Sequence, residues 1–101
     1  MVNINELVAQ ARQMQEKVKI AQQELAKLSV EGQAGGGAVK VILSGVKQAK
    51  RIAISDKAMK DKALLEDLIV AAFNDAKDKA DAIATATMEQ ATNGLKLPEG
   101  V

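Results

Sequence analysis

The chain has no cysteine and no histidine, so it offers neither thiolate nor imidazole. Zinc sites, iron–sulfur clusters, haem ligation through those groups and Cys/His nucleophilic catalysis are excluded together. Without disulfides the sequence fits a reducing compartment. Tryptophan and tyrosine are also absent, and Phe73 is the only aromatic residue among 101. Much of the hydrophobic content is alanine, and small side chains bury little area each at roughly 25 cal/mol per Å². A single domain of this length buries only about two thirds of its unfolded surface, so a lone chain is expected to be marginally stable. No basic segment followed by an apolar run opens the sequence, and no stretch approaches the ~20 apolar residues that span a bilayer. The expectation is a cytoplasmic soluble protein with no membrane partner, no internal repeat and no long low-complexity segment.

The net charge of +1 decides nothing, but its distribution is uneven. Residues 1–28 hold four bases and three acids, residues 29–54 four bases and one acid, and residues 55–101 six bases and nine acids. The middle of the chain is the basic part.

Residues 1–28 read as one long helix. Asn3 is a cap with Glu6 three residues on, and Val2 is placed to staple onto Leu7. Ile4, Leu7, Ala11, Met14, Val18, Ala21, Leu25 and Leu28 recur at alternating steps of three and four, a heptad seam. Residues 29–55 switch to period two: "SVEGQA", a Gly35–Gly37 turn, "AVKVILS", a "GVKQ" turn and "AKRIAIS" form a three-strand antiparallel meander. Val39, Val41 and Leu43 share one face, as do Ile52 and Ile54. A polar connection leads to Asp61, a cap for a second long helix over residues 61–93, whose apolar face includes Leu64, Leu65, Leu68, Ile69, Ala72 and Phe73. The first part of that helix, up to Phe73, is expected on the sheet, and the alanine-rich remainder extends beyond it. Asn93-Gly94 is a stop signal and residues 94–101 a tail. A helix of ~38 Å outruns a strand of about 20 Å, so the seam needs the second helix, a second copy of the chain, or both.

The blocks "QARQMQEKV", "VEGQAGGGAVKVILSG", "LLEDLIVAAFNDA" and "GLKLPEG" occur in this order over nearly the whole length. Together they closely resemble the YbaB/EbfC family of bacterial nucleoid-associated proteins. The resemblance implies a single α+β domain of α-β-β-β-α order, a tweezer-like homodimer, and binding to double-stranded DNA with little sequence preference. It also implies a nucleoid location and an effect on DNA conformation, access and gene regulation.

Candidate DNA contacts follow from the residues. Arg12 and Lys19 lie seven apart on one helical stripe, with Lys27 near its continuation and Gln13 and Gln23 on the outer faces. A separation of about 10.5 Å between Arg12 and Lys19 suits successive phosphates, the alternative being the solvated exterior of a coiled coil. Lys40, Lys47, Lys50 and Arg51 form the basic middle section, as a phosphate-contacting surface or as edge-strand charges that block aggregation. Gly35–Gly37 lack the Gly-Lys-Ser/Thr ending of a phosphate loop. The pairs Glu66-Asp67 and Asp75-Asp78 are read as solvated helix acids, so no metal, cofactor, small-molecule substrate or enzymatic activity is expected. The alternative is a dimeric protein-interaction module accessory to replication, recombination or repair, with DNA contact incidental.

Overall fold

The computed structural model describes residues 3–92. A first helix, α1 (Ile4–Lys27), leads to strands β1 (Val30–Ala34), β2 (Val39–Leu43) and β3 (Ala49–Ile54), then a short helix α2 (Asp56–Met59) and a long helix α3 (Lys62–Ala91). This is an α+β fold in α-β-β-β-α order. The Asn3 side chain accepts from the Asn5 N–H at 2.9 Å, and the Asp61 carboxylate accepts from the Leu64 N–H at 3.1 Å. Val2, Asn93-Gly94 and the tail lie outside the described residues. The four-residue α2, capped by Ser55 at the Ala58 N–H, stands where the sequence reading placed only a polar connection. One turn is too short for periodicity to reveal.

The strands form an antiparallel sheet in the order β1-β2-β3. Gly35, Gly36 and Gly37 all adopt positive φ in the first turn, which glycine does without a Cβ penalty. In the second turn the Ser44 hydroxyl accepts from the Val46 and Gln48 N–H groups, and Lys47 takes a left-handed φ of 66°. An irregularity in register at Ile42/Leu43 follows.

One face of the sheet turns toward α3. Val39, Val41 and Leu43 are fully buried there with Ala72 and Ala76, flanked by Leu65, Leu68 and Ile69. The helix comes close because Gly32 lies beneath it, where a Cβ would overlap the Ala76 amide nitrogen and the Ala72 carbonyl oxygen. Side chains of α3 also close the β1 edge. Asp75 accepts from the Gln33 N–H at 3.0 Å, and Lys79 donates to the Glu31 carbonyl at 3.3 Å.

The helix covers β1 and β2 and leaves β3 bare. Ile52 and Ile54 pair across the sheet with Val41 and Val39 and therefore share their face, yet remain 48% and 37% exposed. Leu64 and Phe73, expected against the sheet, are exposed as well. The helix presents its narrow Ala72/Ala76 stripe, and bulkier residues fall to the sides.

Beyond the sheet, α3 runs along α1. Lys17, Ile20, Ala21 and Glu24 face Thr87, Gln90 and Ala91 across an open groove of about 270 Å³. The 30 residues of α3 span about 45 Å, and the first dozen residues of α1 project about 20 Å past its end. Together they account for a body 69 Å long and only 20 × 17 Å across, with a radius of gyration of 18.8 Å against the ~13 Å of a compact domain of this size. The heptad seam is divided accordingly. Ala21 and Leu25 are buried and Met14 and Val18 half-buried, while Ala11 and Leu28 are exposed and Ile4 and Leu7 are 74% and 51% exposed.

Candidate nucleic-acid interface

The nine candidate contact residues fall into two regions and one exception. Arg12, Gln13, Lys19, Gln23 and Lys27 are exposed on α1. A rotation of 100° per residue puts Arg12, Lys19, Gln23 and Lys27 broadly opposite the Ala21/Leu25 side, and Gln13 to one flank. Lys40 and Arg51 occupy the outer face of the sheet, because they alternate with the inward residues Val39, Val41 and Ile52. Lys50 joins them. Its ammonium donates to the Ser29 hydroxyl at 3.1 Å and to the Leu28 carbonyl at 3.4 Å, bridging β3 to the junction of α1 and β1. Among the described residues no helix covers this outer face, and its acid is Glu31.

Lys47 is the exception. Its ammonium lies 2.7 Å from Asp81 on α3, which also receives Lys77 at 3.1 Å. The left-handed turn carries Lys47 to the helix side of the sheet, away from Lys40 and Arg51. Sequence proximity grouped these lysines, but a partner 34 positions away separates them.

Ion pairing sorts the charges. Among the described residues, the three salt bridges all use acids of α3: Asp81 with Lys47 and Lys77, and Asp75 with Lys79. Arg12, Lys19, Lys27, Lys40 and Arg51 enter no ion pair there. An unpaired, exposed cation keeps its attraction for an incoming phosphate, whereas a paired one must first give up its acid.

Both acids carry a trace of this arrangement. The Gln33 N–H, then the Lys79 ammonium, hold the Asp75 carboxyl below the usual carboxylate range, and Lys47, then Lys77, do the same for Asp81. A carboxyl depressed in the folded state stabilises the fold above its unfolded pKa, about 3.9 for aspartate, and that contribution is lost as pH falls through the folded value. Thermal stability is therefore expected to hold steady from pH 8 to pH 5 and to drop below about pH 4. Asp75→Asn should lower the melting temperature at pH 7, and the difference from the parent should close at acid pH.

Among the described residues, no group of three or more Asp, Glu, His or Cys is placed to hold a metal ion, and no helix is long and apolar enough to cross a membrane. What the geometry offers is a slender body with free cations along its exposed faces, the class of surface that meets a polyanion.

Comparison with known proteins agrees. A model described as the YbaB/EbfC DNA-binding family matches residues 1–95. A nucleoid-associated protein of Xylella fastidiosa (strain 9a5c) is 50% identical over 98 residues, covering 97% of this chain and 92% of the relative. One of Xanthomonas campestris pv. campestris (strain B100) is 48% identical over 99 residues, covering 98% and 93%. A crystal structure of an uncharacterized protein from Helicobacter pylori shares the fold, with a TM-score of 0.76 at 20% identity over 95% of this chain and all of that one. The chain belongs to the YbaB/EbfC DNA-binding family, a family of DNA-binding proteins and not of enzymes.

Proposed function

We propose that this protein is a homodimeric nucleoid-associated protein that holds double-stranded DNA by its phosphates, with little preference for sequence, and so alters the conformation and accessibility of the duplex. The observation that carries the reading is the set of exposed cations on α1 and the outer sheet face that enter no ion pair among the described residues. Bases offered to phosphate position a protein without reading sequence. The names of the relatives from Xylella and Xanthomonas support a place at the nucleoid, and a protein that changes access to the duplex there would act on gene regulation.

The second copy is proposed to sit on the apolar surface that α3 leaves open. Ile52 and Ile54 line it from β3. Phe73, 37% exposed, lies on the flank of α3 away from the Asp75 and Lys79 contacts to β1, and so on the side of β3. The projecting half of the α1 seam is a further surface the second copy can cover. A dimer presents every basic patch twice, and avidity raises the affinity of weak single contacts.

Fluorescence anisotropy with two unrelated duplexes of equal length tests the DNA reading. Both should bind with similar affinity at about 50 mM salt and lose on the order of 100-fold or more at about 200 mM. Binding indifferent to salt, or confined to one duplex, would contradict it.

A further inference from the structure

We infer, on the proposed reading of DNA binding, that α1 and the outer sheet face form one continuous track on which a duplex lies lengthwise, so that a single protomer spans about one turn of B-DNA. Both elements rest on the same side of α3. Ala72 and Ala76 meet the sheet and Ala80, Thr87 and Ala91 run on toward α1, at steps of three to four residues or their multiples that keep them along one helical stripe. The sheet and α1 are therefore placed end to end along one helix. Each turns its buried face to α3, so the opposite faces point the same way. Arg12, Lys19 and Lys27 lie on that far side of α1, and Lys50, Arg51 and Lys40 continue the line across the sheet. The bridge from Lys50 to Leu28 and Ser29 joins the two segments without a gap.

The length of the line is informative. From Arg12 to Lys27 is about 22 Å of helix, and from Lys27 to the level of Arg51, which Ile42 places beside Glu31, is about 13 Å of extended chain, with Lys40 two residues farther along. The sum, about 35 Å, matches the 34–36 Å of one turn of B-DNA, so a duplex along the track turns the same groove edge to both ends. On the other side, α3 carries six acids and three bases over Lys62–Ala91, which disfavours a duplex there and draws it to the α1 side.

The test is the slope of log affinity against log salt, about −0.9 per phosphate contacted. It is measured on a 24-base-pair random duplex and on a hairpin-capped stem of six base pairs. On the long duplex, Arg12→Gln with Lys19→Gln, and separately Lys40→Gln with Arg51→Gln, should each flatten the slope by about 2 for each protomer engaged, and the quadruple variant by about 4 for each. Lys47→Gln should leave it unchanged. On the six-base-pair stem, which cannot reach both ends of the track, each double variant should flatten the slope by about 1 or less. If only one double variant acts on the long duplex, or Lys47→Gln acts as strongly as either, the track is wrong while DNA binding stands. If the unsubstituted protein shows no salt-dependent binding, the proposed function fails instead. Thermal melts check that each variant is folded.

Discussion

Gly32→Val should leave the chain largely unfolded at room temperature, with Gly32→Ala costing about 3 kcal/mol or more in a urea melt. A Cβ at position 32 overlaps main-chain atoms of α3, the Ala76 nitrogen and the Ala72 oxygen, and neither can rotate aside as a flexible side chain would. The helix has to lift off β1. That separation opens the layer in which Val39, Val41 and Leu43 are fully buried, and releases the Gln33–Asp75 bond at the sheet edge. Overpacking ordinarily costs 1–3 kcal/mol, and a core this short of large side chains has little in reserve. Gly36→Ala is the control: nothing lies within 4 Å of a Cβ there, and the cost is confined to a φ of +67°, about 1–2 kcal/mol. Equal losses at both positions would show that the tight seat of α3 is not what holds the domain together.

Ile52→Lys with Ile54→Lys should separate the proposed dimer while leaving each chain folded. Both side chains are already substantially exposed in the single protomer, so their replacement removes little from its own core. Burying the remainder of four isoleucines across a twofold contact contributes about 1 kcal/mol each, about 4 kcal/mol in total, or roughly a thousandfold in the dissociation constant. Four lysines brought together repel as well. Sedimentation equilibrium reads the shift directly. Ile4→Gln with Leu7→Gln is the companion variant at the projecting end of α1. A dimer weakened by that pair and indifferent to the β3 pair would move the interface to the heptad seam.

The contrast between those two pairs shows where the sequence is readable and where it is not. Local signals carried the elements: Asn3 and Asp61 cap the two long helices, and alternation around Val39, Val41 and Leu43 marks the buried strand. Nothing local distinguishes Ile52 and Ile54 from a covered pair. Whether they are covered depends on the lateral position of α3, which Gly32 and the Asp75–Gln33 bond fix from the opposite edge of the sheet. The cations behave alike. Lys47 and Lys50 are indistinguishable by composition, and only folding gives one to Asp81 and the other to the Ser29 hydroxyl. The seam is similar in kind, since its heptad says that it packs but not that α3 stops alongside Lys17.

Sedimentation equilibrium of the unsubstituted protein with a fluorescent random-sequence duplex, at about 50 mM and about 200 mM salt, tests the central claim most directly. Two chains should travel with the DNA at the lower concentration, and at the higher one the same two chains should remain together while most of the DNA is released. A folded single chain, or a complex held equally well at both concentrations, would contradict it.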